Sequence, residues 1–363
     1  MIDRRSFAEI DWVLIGLLLV NSAIGVLTIY SASHYLTPSY YLKQVFWIVF
    51  SLALLFLLMS VDYKILSTYS LYVYVGLVGL LLTMLAFARL VHGTRSWLTF
   101  RFFQVQPSEV TKIVLILLLA QIFSEFKRNF LTANATLMSA LLAGIPMLFI
   151  AFQPDLGTAL SFLPVLLGAL ILAGLRKKSI VILLLATLAL TVVGWNFYLK
   201  DYQKRRLTTL VSPGQDPQGS GYHILQSKIA IGSGGLLGKG FKKGTQSQLR
   251  FLPARHTDFV FSVIGEEFGF VGVVVVIFCY FLFLRRIFLS VHKSRDRAGV
   301  YIIFMVGMMI AFQFFVNVLM VTGLLPVVGV PLPLISYGGS SLLTNYLAVA
   351  LVLNVKMRRM ANV

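Results

Sequence analysis

Runs of about twenty apolar residues recur from one end of this chain to the other, each long enough to cross the roughly 30 Å hydrocarbon core of a bilayer as a helix. Backbone groups inside that core must satisfy one another, so a chain patterned this way folds as a bundle of spanning helices. Composition agrees: 58% of the 363 residues are hydrophobic and only 12% charged, against about one quarter charged in soluble domains. Ten spans are expected, over 12–32, 43–60, 68–90, 107–124, 136–152, 156–174, 179–199, 259–284, 299–321 and 336–355. The first is too long for a signal-peptide core and reads as an uncleaved span. The fold class is an all-α polytopic membrane protein, one integral domain over 1–363 with a long loop over 200–258 between spans 7 and 8.

The net charge of +18 would point to nucleic acid in a soluble chain. Here the basic residues cluster at the ends of apolar runs, so topology accounts for most of them and no nucleic-acid partner is expected. With the N-terminus inside, sixteen of the thirty-one Lys and Arg collect on one side: Arg4, Arg5, Lys64, Lys127, Arg128, Arg176, Lys177, Lys178, Arg285, Arg286, Lys293, Arg295, Arg297, Lys356, Arg358 and Arg359. The short loops opposite hold only Arg95 and Arg101, so both termini are expected in the cytoplasm and the 200–258 loop outside. The single cysteine excludes an internal disulfide, and the five histidines show no metal-ligand spacing. No internal repeat is evident, which counts against an inverted-repeat transporter.

Ionisable residues near spans are costly and therefore informative. In Gln106-Pro107-Ser108-Glu109-Val110-Thr111-Lys112, proline suits a first helical turn and Glu109 and Lys112 share a face. A structural ion pair and a substrate-facing pair fit them equally. Asp155, in the turn Gln153-Pro154-Asp155-Leu156-Gly157-Thr158, is placed to cap the sixth span. Thr257 and Asp258 are likewise good N-caps for the eighth, and on pattern alone capping is the stronger reading of Asp258. Glu266 and Glu267, further along that span, are expected to pack against other spans. The run Gly232-Ser233-Gly234-Gly235-Leu236-Leu237-Gly238-Lys239-Gly240 fails as a phosphate loop and reads as a flexible loop able to approach substrate or the membrane surface. The long loop carries ten basic residues against Asp201, Asp216 and Asp258, suited either to anionic lipid head groups or to a lipid diphosphate.

Several segments together resemble the SEDS family, the RodA/FtsW/SpoVE group. They are Gly93-Thr94-Arg95-Ser96-Trp97, Gln106-Pro107-Ser108-Glu109 with Lys112, Gln153 to Thr158, Gln226-Ser227 to Gly240, Leu252-Pro253 to Phe259, Glu266-Glu267-Phe268-Gly269 and Pro333 to Ser341. Their order and spacing span nearly the whole chain. The loop Leu325-Pro326-Val327-Val328-Gly329-Val330-Pro331-Leu332-Pro333 is similar to the RodA elongation branch. One departure is the single Arg95 where relatives often carry a second arginine before the tryptophan.

The resemblance implies a peptidoglycan glycosyltransferase of the bacterial inner membrane that polymerises lipid II on the outer face. The sugar 4-hydroxyl of one precursor attacks the anomeric carbon of another and expels undecaprenyl diphosphate, giving a β-1,4 link with inversion. The family's essential aspartate maps onto Asp258, here the general base, with Glu109, Lys112, Arg95, Lys228, Arg206 and Asp155 as substrate-binding or supporting residues. The resemblance fixes no cofactor, and a divalent cation, Mg or Mn, would suit the diphosphate. A class B penicillin-binding protein transpeptidase and other elongation-complex membrane proteins are the implied partners. The alternatives are a lipid II flippase and a non-enzymatic scaffold for the transpeptidase.

Overall fold

A computed structural model describes residues 10–33, 39–88, 93–100, 104–126, 131–174, 181 and 220–358. Among these the helices are α1 (Trp12–Ser33), α2 (Ser39–Ser60), α3 (Tyr63–Phe87), α4 (Pro107–Glu125), α5 (Ala133–Phe152), α6 (Leu156–Leu160), α7 (Leu163–Leu172), α8 (Ser220–Ser233), α9 (Thr245–Gln248), α10 (Val260–Val291), α11 (Arg297–Val321) and α12 (Gly339–Met357). Eight of them, α1 to α5 and α10 to α12, are long and apolar enough to cross a membrane. The expected sixth span is a helix pair, because the chain turns through Ser161 and Phe162 between α6 and α7. The expected span over 179–199 lies outside the described residues. A short hairpin pairs β1 (Leu98–Thr99) antiparallel with β2 (Gln104–Val105) and leads into α4.

Local chemistry sets the helix ends. Asp62 accepts from the Lys64 amide at 2.9 Å and Asp296 from the Gly299 amide at 3.2 Å, each an N-cap. The Asp62 cap starts α3 five residues earlier than the hydrophobic pattern suggests. Asp155 caps α6 through the Thr158 amide at 3.2 Å, as expected. Asp258 does not follow the capping reading: the N-cap position of α10 falls on Phe259, one residue later. Helix α10 also runs to Val291 rather than ending near 284, and it is broken at Gly269, where φ is +63°.

Helices α4 and α12 form the interior, with most of their residues buried, while α2, α3 and α10 turn apolar faces outward. That inversion of soluble logic is what a lipid solvent requires, since hydrocarbon does not penalise exposed leucine. The bundle has two polar ends. At one, Asp11 meets Arg286 and Lys356, and Tyr63 donates to Asp296 at 2.6 Å. At the other lie Gln106, Asp155, Asp258 and Ser336.

Candidate active site

Asp258 stands at the last turn before α10, half-buried, in a segment whose backbone is held from three sides. The Asn317 amide of α11 donates to the Asp258 carbonyl at 2.9 Å and to the Val330 carbonyl at 2.8 Å. Ser336 Oγ donates to the Thr257 carbonyl at 2.6 Å, and the Tyr337 amide to the His256 carbonyl at 2.8 Å. The strap from Val328 to Val330 then crosses the site: a Cβ built on Gly329 would lie 3.7 Å from Asp258 Oδ2. Gly329 is exposed, with φ +73°, so the strap passes this carboxylate as bare backbone.

The same strap joins Asp258 to a second polar group. A Cβ on Gly157 would come within 2.2 Å of the Val328 carbonyl oxygen, so only glycine lets the α6 turn pack there. In that turn Gln106 Nε2 donates to Asp155 Oδ2 at 2.7 Å and to Thr158 Oγ1 at 3.2 Å. The next helical turn of α4 carries the Lys112 to Glu109 ion pair at 2.7 Å, with both side chains buried. Burial pushes the Asp155 carboxyl above its ordinary value, against the Thr158 hydrogen bonds and with the neighbouring Glu109 charge adding to the rise. Glu109, Lys112 and Asp155 are therefore one cluster, connected to Asp258 through Val328 and Gly329.

The other expected site residues sit differently. Arg95 is exposed, with its guanidinium donating to the Leu85 carbonyl at 2.9 Å. Lys228 of α8 is exposed and lies over the Gly323 turn at the end of α11, where a Cβ would meet its Cε at 2.3 Å. Arg206 lies outside the described residues. Within the long loop, Lys239 is paired with Glu266 at 2.9 Å, and the buried Arg255 guanidinium donates to the Ser247 carbonyl. Lys239 thus ties the loop to α10, and Arg255 ties the loop to itself.

Glu266 overturns the expectation that it packs against another span. Its carboxylate is fully buried and accepts from Lys239, from Thr245 and from the Gln246 and Ser247 amides, holding the start of α9. Glu267 does pack as expected, accepting from Ser31 of α1 at 2.5 Å. The glycine run is corrected as well: it is docked on α10. The Lys239 and Gly240 amides donate to the Glu266 and Glu267 carbonyls at 3.0 and 2.9 Å. A Cβ on Gly234 would lie 1.9 Å from the Gly265 carbonyl oxygen, so the glycines serve backbone-to-backbone packing and not a phosphate.

Sequence reasoning missed Asn317, His256 and Ser336. A buried asparagine inside an apolar span is costly, and that was the available signal for Asn317. His256 stacks on Tyr40 with ring centroids 4.7 Å apart and sits against Tyr337. Burial lowers its pKa, and the adjacent Arg255 lowers it further.

The length of α10 can be set against a bilayer. From Val260 to Leu284, the last apolar residue before Arg285 and Arg286, a helix rises about 36 Å at 1.5 Å per residue, against about 30 Å of hydrocarbon. Helix α10 is thus long enough to cross the hydrocarbon, and Asp258 comes two residues before its first turn.

The family described as cell cycle protein, which groups FtsW, RodA and SpoVE, matches residues 8–361. The chain belongs to the FtsW/RodA/SpoVE family. It is 38% identical over 320 residues to the peptidoglycan glycosyltransferase MrdB of Escherichia coli, covering 87% of this chain and 85% of that one. It is 32% identical over 432 residues to the peptidoglycan glycosyltransferase RodA of Treponema pallidum, covering 98% and 99%. Among solved structures, a chain of a peptidoglycan synthase complex that coordinates polymerization and crosslinking superposes with TM-score 0.83 at 31% identity, covering 97% of this chain and 98% of that one. The rod shape determining protein RodA of Thermus thermophilus gives 0.73 at 29% identity, again covering 97% and 98%. The all-α polytopic fold is shared with these relatives.

Proposed function

We propose that this chain is a peptidoglycan glycosyltransferase that polymerises lipid II into β-1,4 glycan strands during cell elongation, with Asp258 as its general base. The observation that carries the reading is the Asp258 side chain beside the bare Gly329 backbone, just before the apolar helix α10, on a turn whose Asp258 and Thr257 carbonyls are held by Asn317 and Ser336. A lipid-linked sugar has its diphosphate at the depth of lipid head groups and its saccharide just above.

In the reaction the acceptor 4-hydroxyl oxygen forms a bond to the donor's anomeric carbon while the bond from that carbon to the lipid diphosphate breaks. The hydroxyl proton passes to Asp258, and the electron pair of the broken bond leaves with the diphosphate. Diphosphate departs without a protonating acid, so one carboxylate suffices where glycosidases need two. Lys228 and Arg206, both within the 200–258 sequence segment, are the proposed cations that neutralise the leaving group, and the Glu109 to Lys112 pair lines the interior behind the α6 turn. Among the described residues no three His, Cys, Asp or Glu side chains converge as a metal-binding group. A divalent cation, Mg or Mn, would be held by Asp258 and substrate oxygens and would supply charge neutralisation to the diphosphate.

Both termini are proposed to lie in the cytoplasm of a bacterial inner membrane, with Asp258 on the outer face, as the basic residues direct. A class B penicillin-binding protein is the proposed partner. The deciding experiment gives purified protein lipid II, with and without that transpeptidase. Asp258→Asn is expected to lose about 100-fold or more of polymerisation while still binding lipid II. Unchanged polymer yield from the variant refutes the base assignment, and movement of labelled lipid II across liposomes without polymer would instead indicate a flippase.

A further inference from the structure

The segment between α8 and α10 carries an apolar surface that the chemistry at Asp258 does not use. Leu236 and Leu237, at the tip of the glycine turn, are 73% and 80% exposed. The tip is held in place: the Phe270 amide donates to the Gly235 carbonyl at 2.9 Å and the Val271 amide to the Leu236 carbonyl at 3.1 Å. Breaking α10 at Gly269 is what exposes those two amides, and a Cβ there would lie 2.3 Å from the Gly238 nitrogen. The tip is thus fixed at the level of Phe270 and Val271, which are themselves exposed.

That level can be read along the helix. Phe270 stands about 21 Å from Leu284 at 1.5 Å per residue, and the hydrocarbon is about 30 Å thick. The leucine tip therefore falls about 9 Å inside the hydrocarbon boundary on the Asp258 side. Two observations agree with that depth. Phe241, four residues beyond Leu237, lies against Tyr30 and Phe268 with ring centroids 6.3 and 6.2 Å apart, an aromatic group of the kind found at membrane interfaces. Lys242 Nζ then sits 3.9 Å from the Tyr30 ring centroid, and Lys243 is exposed beside it, so the charge begins where the phosphates would.

We propose that Leu236 and Leu237 form a lipid anchor, a re-entrant tip buried among the acyl chains of the Asp258-side leaflet, with Lys242 and Lys243 at the level of its phosphates. The occupant is lipid because the tip is continuous with the outward apolar face of α10 (Val274, Val275, Phe278) and carries no polar side chain from Gly234 to Gly238. The same docked segment is gripped by Glu266, eight residues after Asp258, so the anchor sets the height of the carboxylate against the head groups.

The test uses full-length protein in nanodiscs of phosphatidylethanolamine and phosphatidylglycerol, alone and with its transpeptidase partner. In a Cys279→Ser background, single spin labels are attached at Leu237→Cys, at Phe278→Cys as a lipid-facing reference and at Lys243→Cys as a polar one. Oxygen is expected to relax the 237 label as strongly as the 278 label, with little effect of a water-soluble nickel chelate, while the 243 label shows the reverse preference. A 237 label relaxed by the chelate as strongly as the 243 label puts the tip in water and overturns the anchor. Shielding from both reagents puts it against protein and overturns it equally. Neither outcome depends on glycan synthesis.

Discussion

Asn317 contributes no charge and no proton, yet it determines where Asp258 stands. Its one amide bridges the Asp258 and Val330 carbonyls, so removing it frees both the Asp258 turn and the strap in front of it. Asn317→Ala is expected to lower the polymerisation rate about 100-fold, the usual scale for misplacing a catalytic group by an ångström, with lipid II binding retained; rates on purified protein check this. His256 gives a pH signature. Its folded pKa is depressed by burial and by Arg255, so folding favours the neutral ring. The contribution is complete above the ordinary histidine value of about 6.5 and is lost as pH falls below it. Melting temperature in detergent should drop between about pH 7.5 and 5.5, and His256→Gln should flatten that drop. Asp258 was legible in the sequence because a carboxylate at a span boundary is conspicuous, and the resemblance of its segment to the family is what proposes it as the general base. Asn317 and Ser336 were not, since their importance lies in backbone carbonyls that only the fold brings near.

At the scale of elements, apolar periodicity located the helices but not how they break. A run of glycines next to lysine looks the same whether it wraps a phosphate or a helix; only the partner, the interrupted α10, decides between them. Gly269 shows why the interruption could not be read. Its need for glycine arises from φ +63° together with the Gly238 backbone, contributed from about thirty residues earlier. Gly269→Ala would place a Cβ 2.3 Å from that nitrogen. Left-handed strain and overpacking together should cost about 3 kcal/mol. Hydrogen exchange at the Phe270 and Val271 amides, which donate to Gly235 and Leu236, is expected to rise before any change at α4 or α12. Uniform loss of protection across the bundle would show that the docked turn has no stability of its own.

Across the whole molecule, the clearest long-range constraint joins the beginning and end of the described chain. Asp11 is buried just before α1, and its Oδ2 lies 2.8 Å from Arg286 of α10 and 2.5 Å from Lys356 of α12. Positive-inside counting foresaw that these basic residues share a side, but it treats them as solvated and could not foresee that one carboxylate gathers two of them. Burial alone would raise the Asp11 pKa; the Arg286 and Lys356 bonds outweigh it, and the carboxyl sits below its ordinary value. Because the folded value is depressed, the stabilisation is complete above the unfolded carboxylate value of about 3.9 and disappears as pH falls through the folded one. Asp11→Asn leaves two cations against a neutral amide, and breaking a buried pair in this way typically costs about 3 to 5 kcal/mol. Thermal unfolding in detergent at pH 7 should therefore separate the variant from the native protein clearly. As the pH is lowered below about 3.9 and through the depressed folded value, where the native carboxylate loses its charge, the two curves should converge. A gap that persists unchanged into acid would mean that Asp11 acts through packing and not through its charge.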